Sequence, residues 1–194
     1  MTPTDICNVA LGYVNHPALS SLADDASAEA ELCRRLWPLA RDLALSDHTW
    51  SFATRAERLA ALADPSPYPH LPCAYALPGD CLRVAETIPA GVAYIREGFR
   101  LYVAAPLTAV ALAVRTDDTG LWPAKLCDAA ACALASRLAM PLGNDAQAAT
   151  YWERRAREAL ETARADDSIE NHPAYQTPGR PGRWLSAHLG GGLP

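Results

Sequence analysis

Histidine and cysteine side chains are the groups in this 194-residue sequence best suited to catalysis or metal binding. The five histidines and six cysteines are scattered, and they lack the short, repeated spacings typical of metal sites. The sequence contains no glycine-rich phosphate loop after a strand and no GxSxG, HExxH or paired CxxC motif. We therefore predict no catalytic residue, no cofactor-binding residue and no metal ligand. The scattered residues are His16, His48, His70, His172, His188, Cys7, Cys33, Cys73, Cys81, Cys127 and Cys132.

Three aspartate pairs are the remaining candidates for cation binding: Asp24–Asp25, Asp117–Asp118 and Asp166–Asp167. Neighbouring carboxylates in a strand or helix point in different directions, so one pair rarely chelates an ion. Each pair also lies where a turn or a helix end favours aspartate. We therefore interpret all three pairs as caps and turns.

The composition sets limits on the class of protein. The formal net charge is −5, which argues against a nucleic-acid binder that works through a basic surface. No stretch reaches the roughly 20 apolar residues of a membrane span, and the N-terminus lacks the order of a secretory signal. We therefore expect synthesis in the cytosol and no membrane partner. In that reducing compartment the cysteines are expected to act as small buried hydrophobes.

A long helix predicted over residues 27–46 is the element around which the rest of the chain is organised. Ser27 is placed to cap its first turn, and apolar residues recur at helical spacing. Pro38 lies inside the pattern and removes a backbone donor, so it predicts a kink or a break. The expected buried stripe consists of Ala28, Leu32, Leu36, Leu39, Ala40 and Leu43.

The other elements follow from capping and alternation patterns. Thr2 and Asp5 form a capping box for the first helix, and Asn144 followed by Gln147 predicts the start of the last one. Trp50 and Phe52 alternate with small polar residues and predict a strand, with both rings anchoring the junction of helix and sheet. Further strands are expected at 73–88, 94–103 and 110–114. The 94–103 segment is a hairpin, with its bend at Glu97–Gly98 and with Phe99, Leu101 and Val103 on one face.

These patterns predict an α+β fold in which a helical bundle carries an inserted, small antiparallel β-sheet. The N-terminal helix and the long kinked helix precede the sheet, and an antiparallel helix pair follows it. One domain is expected over residues 1–171. Within it the helices are predicted at 3–15, 27–46, 123–142 and 144–167, and the sheet region at 49–115.

An extended tail is expected over residues 172–194, where proline and glycine dominate and too few apolar groups remain to form a core. Within this tail, Arg180, Arg183, Trp184 and Leu185 lie close together in sequence, and these residue types are typical of interface anchors. We predict that these four residues contact a partner. A segment of this kind is expected to become ordered only against a partner surface, because ordering costs backbone entropy.

Several segments, taken in order, resemble the head-to-tail adaptor of short-tailed bacteriophages, often called tail tubular protein A, and its prophage relatives. The resemblance runs from residue 6 to about 185. Its most similar piece is Tyr75-Ala-Leu-Pro-Gly-Asp-Cys-Leu-Arg-Val, followed by the Glu97–Gly98 hairpin and an alanine-rich helix pair. The other pieces are Ile6-Cys-Asn-Val-Ala-Leu, Ser20-Ser-Leu-Ala-Asp, Pro38-Leu-Ala-Arg-Asp, Trp50-Ser-Phe-Ala-Thr-Arg and Arg183-Trp-Leu.

The resemblance implies a structural role in the virion rather than an enzymatic one. Similar proteins form a ring of twelve copies between the portal protein and the tail nozzle, at the neck of a particle assembled in the host cytoplasm. The ring lines the channel through which DNA leaves, without sequence-specific binding, and an acidic wall suits that duty because it repels phosphates. Two alternatives stay open at the level of sequence: a soluble interaction module and a small enzyme of unrecognised class.

Overall fold

Four α-helices and six β-strands make up residues 1–170, the part of the chain that the computed structural model describes. The α+β class expected from the sequence is confirmed. Short 3-10 turns at Ser51–Ala53 and Thr119–Leu121 lead into β1 and α3. The helices are α1 (Pro3–Tyr13), α2 (Ala28–Asp47), α3 (Ala124–Gly143) and α4 (Ala146–Glu170). The strands are β1 (Thr54–Glu57), β2 (Cys73–Ala76), β3 (Cys81–Ile88), β4 (Tyr94–Glu97), β5 (Arg100–Val103) and β6 (Ala109–Val114).

Side-chain caps fix the starts of the helices. Thr2 and Asp5 form the predicted capping box of α1, with each side chain bonded to the other residue's backbone N–H. Ser27 caps α2 by accepting from Ala30 N at 3.3 Å. The N-cap residue predicted for α4 was one position too early in the chain. Asn144 adopts the left-handed conformation that ends α3, which asparagine tolerates, and Asp145 caps α4 instead.

Helix α2 continues through Pro38, so of the two expected outcomes, a kink or a break, the break does not occur. Its buried face also differs from the predicted stripe, because Leu39 and Leu43 are 51% and 48% exposed. Ala40 of the predicted stripe is buried, and Leu32 and Leu36 are half-buried against the core, but the fully buried side also contains Trp37 and Leu45, which the prediction left out. The residues that α2 buries are Ala30, Cys33, Trp37, Ala40, Ala44 and Leu45.

Helix α3 is the centre of the bundle. Half of its 20 residues are buried, and five of these ten are alanine. α4 runs antiparallel to α3 as predicted, and Lys125 near the start of α3 pairs with Asp166 near the end of α4 at 2.6 Å. Tyr13 of α1 donates to Asp128 of α3 at 2.7 Å and stacks on Trp152 of α4. The small side chains allow all three neighbouring helices to approach α3 closely.

The middle of the chain forms two antiparallel sheets rather than the one expected. The first has the strand order β1-β6-β3 and the second β2-β5-β4. Their facing side chains share a second hydrophobic core, separate from the helical one. Alternate residues of β5 and β6 point into this core, as expected for a strand, whereas β3 contributes Cys81 and Val84 because its register shifts twice. Its buried members are Leu77, Cys81, Val84, Leu101, Val103, Val110, Leu112 and Val114.

The β4–β5 hairpin is present as predicted, but its bend lies one residue later: Glu97 is opposite Arg100, and Gly98 and Phe99 form the two-residue loop. Gly98 has a φ of 55°, which glycine adopts without strain. Phe99 occupies the second loop position and is 59% exposed, so the prediction that it shares a face with Leu101 was wrong. The turn removes it from the alternation of the strand.

Trp50 joins the bundle to the first sheet. Its side chain is fully buried, and its indole N–H donates to the carbonyl of Ala44 at 2.9 Å. Phe52 lies against it and also against Trp122. The predicted anchoring role therefore agrees with the packing, but the predicted strand at residues 50–52 does not: the chain makes a 3-10 turn there, and β1 begins at Thr54.

Replacing Trp50 with alanine is expected to lower the free energy of unfolding by about 3–5 kcal/mol, because a large buried ring and its hydrogen bond are lost. Urea unfolding of the purified variant checks this value. Phe99→Ala is a suitable control, since an exposed aromatic on a hairpin should change stability by no more than about 0.5 kcal/mol. An unchanged midpoint for Trp50→Ala would mean that this ring does not hold the junction together.

Candidate partner-binding surface

The four predicted interface residues, Arg180, Arg183, Trp184 and Leu185, lie outside the described residues. Within residues 1–170, a groove between three helices is a candidate surface for contact with another chain, and the sequence patterns did not identify it.

The groove lies between α2, α3 and α4 and has a volume of about 310 Å³. Alanines from all three helices form its floor, because side chains of one carbon leave a hollow where larger ones would fill the space. Leu43 of α2 and Leu160 of α4 provide the larger apolar walls. Leu39, one helical turn before Leu43, extends the apolar surface beyond the groove. The alanines are Ala40, Ala44, Ala129, Ala133 and Ala156.

Charged residues of both signs surround this apolar floor. Asp47 forms an ion pair with Arg164, and Glu153 pairs with Arg157 one turn along α4. Arg137 donates to the carbonyl of Ala133 on its own helix at 2.6 Å. An apolar centre with a polar rim is the usual arrangement of a protein–protein contact.

The sequence did not indicate the groove because the leucines of α2 repeat at helical spacing, and a helix face buried in the core shows the same pattern. Leu39 and Leu43 were predicted to be buried for that reason. One signal in the sequence could have indicated the alternative: the stripe 30, 33, 37, 40, 44 fits a helix equally well and contains Trp37. Two apolar stripes on one helix allow one face for the core and one for a partner.

A cluster of charges holds the groove segment of α2 against the first sheet. Arg115, which follows β6, donates to both carboxylate oxygens of Asp42, at 2.9 and 3.1 Å. Arg41 also donates to Asp42, at 2.8 Å, and reaches Asp117. Burial raises the pKa of Asp42, but the hydrogen bonds from Arg115 and Arg41 outweigh it, so the net pKa is lowered.

A second polar cluster ties the end of α2 to the end of α4. Asp167 is only 5% exposed; it lies 3.0 Å from His48 Nε2 and accepts from the Ser51 hydroxyl at 2.7 Å. In a Ser-His-Asp catalytic triad, the histidine lies between the serine and the aspartate and removes the proton of the serine hydroxyl. Here the carboxylate lies between the other two, so this geometry does not activate Ser51. The cluster is a clamp between helices.

The clamp corrects one interpretation of the aspartate pairs. Asp166 and Asp167 do not end a helix, because α4 continues to Glu170, and each makes a tertiary contact instead. The other two pairs are in turns as predicted. Asp118 accepts from Gly120 N in the turn before α3. Asp25 accepts from the backbone N–H of Ser27, which lowers its pKa to about 2.

Within residues 1–170, no group of three or more His, Cys, Asp or Glu side chains is arranged to hold a metal ion. The six cysteines are free thiols, and all but Cys73 are buried. Burial raises the pKa of Cys132 to about 11, so this thiol stays protonated at neutral pH and is a poor nucleophile.

Helix α3 is long and apolar enough to cross a membrane by length and composition, a property that was not anticipated from the sequence. It is the one such helix among residues 1–170. The core helix of a soluble protein has the same property, and α3 is packed between α1, α2 and α4. The finding is therefore weak evidence for a membrane span.

Comparison with known proteins gives no match: no protein-family model and no curated protein is similar to this chain.

Substituting Asp42 with asparagine is expected to cost about 1.5–3 kcal/mol at neutral pH, because two arginines lose a charged partner. Since the folded pKa of Asp42 is lowered, its contribution is present above the unfolded value of about 3.9 and is lost as the pH falls through the folded pKa. The difference in unfolding free energy between wild type and Asp42→Asn should therefore shrink below about pH 4. Urea unfolding at several pH values measures it.

Asp64→Asn is the matched control, because Asp64 pairs with Arg100 at 3.5 Å on the surface. Exposed pairs contribute about 0–1 kcal/mol. A cost for Asp42→Asn that stays constant from neutral to acidic pH would show that the carboxylate charge is not what matters.

Proposed function

We propose that this chain is a structural virion component, a head-to-tail adaptor that forms a ring between the portal protein and the tail nozzle. Its ring, of twelve copies in similar proteins, lines the channel through which DNA leaves the capsid. The observation that carries the proposal is the ordered resemblance from residue 6 to about 185. The fold and the surface charge are consistent with it.

Residues of the resembling segments contact each other or flanking residues, which supports a common framework. Asn8 accepts from Leu19 N at 2.7 Å and donates to its carbonyl at 3.1 Å, directly before the segment that begins at Ser20. Arg55 binds both carboxylate oxygens of Asp80, at 2.8 and 3.1 Å, and thereby joins two other segments. The polar residues that carry the resemblance thus act as ties between elements. This is what a family that preserves a scaffold requires.

The charge of the chain supports passage of DNA rather than its retention. The formal charge of −5 gives the ring a net repulsion toward phosphates. A wall rich in lysine and arginine would exchange counterions with DNA and hold it. A channel needs the opposite property.

The tail provides the proposed contact with the portal or with a neighbouring subunit. Trp184 and Leu185 bring apolar area, and Arg180 and Arg183 bring charge that salt screens. Because residues 172–194 have too few apolar groups to fold alone, the contact forms when subunits and portal meet.

Measurement of particle mass tests the proposal directly. The purified chain is mixed with a candidate portal ring, and the complex is weighed by native mass spectrometry. About twelve copies of the chain per portal ring are expected. A chain that stays unattached to portal rings from short-tailed phages of several kinds, at concentrations well above micromolar, would contradict the adaptor proposal.

Deleting residues 172–194 is expected to leave the domain folded and to weaken its attachment to the portal ring or to neighbouring subunits. Two double variants separate the causes. Arg180→Ala with Arg183→Ala should remove mainly the salt-dependent part of the attachment, whereas Trp184→Ala with Leu185→Ala should weaken it at every salt concentration. Circular dichroism confirms folding, and titration of the portal ring measures attachment. Undiminished assembly of the truncated chain would exclude this role for the tail.

A further inference from the structure

One face of the helical bundle carries two exposed apolar side chains beside the alanine-floored groove. Leu39 of α2 is 51% exposed, and Met140 of α3 is 47% exposed. Leu39 lies one helical turn before Leu43, which lines the groove, and Met140 lies one turn after Ser136, which also lines it. Both side chains therefore adjoin the groove without filling it.

The two side chains lie at the same end of the groove. Ion pairs join the last residue of α2 to the C-terminal part of α4, and the start of α3 to the same part of α4. Helix α3 therefore runs antiparallel to both α2 and α4. Going back along α2 and forward along α3 thus leads to one end of the groove, where Leu39 and Met140 project from the surface.

The charges that line the groove cancel, whereas the chain as a whole has a formal charge of −5. They are Asp47 and Glu153 on the one hand and Arg137 and Arg157 on the other. Both carboxylates are already paired with arginines of the same chain, so a strongly charged partner gains little here. Two copies of an acidic chain repel each other on average, and a contact through this neutral face avoids that repulsion.

A hollow and two projecting side chains on one face make that face complementary to itself. Loss of a leucine side chain from a core leaves a cavity on the order of 150 Å³. The groove, with a volume of about 310 Å³, therefore has room for two side chains of that size.

The area of the face is sufficient for a weak pair. The face is about 30 Å long, the length of the 20 residues of α2, and about 20 Å wide, the width of two adjacent helices. Two such faces bury about 1,200 Å² in total, which is the lower limit for a specific interface.

We propose that this face binds a second copy of the same chain across a two-fold axis. The axis passes between the apolar pair and the groove, so Leu39 and Met140 of each copy enter the groove of the other, and the helices of the two copies are antiparallel. The contact is made twice, once in each direction. It goes beyond the proposed function and does not depend on it. A cyclic ring is built from head-to-tail contacts, so the two-fold pair is a form of the unassembled chain.

Sedimentation velocity of the purified full chain tests the pairing. The mass is expected to rise from one copy to two between about 1 μM and about 1 mM, the range in which small interfaces dissociate. Leu39→Ser combined with Met140→Ser removes the projecting side chains, and Ala133→Leu fills the floor of the groove. Each variant should weaken the pairing about tenfold or more, because both symmetry-related contacts are lost at once. Circular dichroism checks that the variants are folded.

An equimolar mixture of the two variants tests the geometry. A copy that keeps its projecting side chains then meets a copy that keeps its groove, so one of the two contacts is restored. The mixture should therefore pair more tightly than either variant alone. Leu121→Ser is the matched control, because Leu121 is an exposed leucine outside the groove, and it should leave the pairing unchanged.

Four results would overturn the proposal: a mass of one copy throughout this range, equal weakening by Leu121→Ser, pairing that survives both variants, and a mixture no tighter than its components. Assemblies of more than two copies that the same variants disrupt would also overturn it, because they assign the face to a head-to-tail contact. Attachment to a portal ring is a separate measurement. A chain that attaches to the ring but does not pair overturns this inference and leaves the adaptor proposal intact, and a chain that pairs without attaching does the reverse.

Discussion

The C-terminal half of α2 must satisfy two cores at once, and the rest of the structure depends on that constraint. One side of this segment packs into the helical bundle through Ala40 and Ala44. Asp42 faces the first sheet and binds Arg115, and the chain after the helix returns through Trp50, whose indole is bonded to Ala44. Bundle and sheets have separate hydrophobic cores, so these few contacts set how one is held against the other.

Alanine explains both how the bundle closes and why it leaves a groove. Helices with alanine at their contacts approach closely, which suits the packing around α3. Each alanine buries little area, however, so stability is concentrated in a few large side chains such as Trp50 and Leu138. Where three alanine-rich faces meet without a large residue between them, a hollow remains. The groove is therefore a consequence of the same composition that builds the core.

The sequence located the helices and most strands, but not the 3-10 turn at Ser51–Ala53, the division into two sheets or the buried face of α2. Caps at Thr2 and Ser27 located helix starts because a capping bond is local and depends on neighbouring residues only. The predicted buried face of α2 was wrong at Leu39 and Leu43 because α2 carries two apolar stripes, and both have helical spacing. Only tertiary packing decides which stripe is buried. The groove was missed for the same reason. Asp167 was read as a local cap, although its partners His48 and Ser51 are more than 110 residues away.

The polar ties of the scaffold and the groove use different residues in this chain. Asn8, Arg55 and Asp80 are engaged in ties between elements, whereas Leu43 and Leu160 line the groove. Recognition of a partner would then depend on surface residues that make no such tie, and the groove beside Leu43 is one surface of this kind. A scaffold held by dispersed polar ties tolerates change at such a surface, because altering an exposed leucine removes no tie. Substitution of such a leucine can therefore alter what this surface binds without altering how the chain folds.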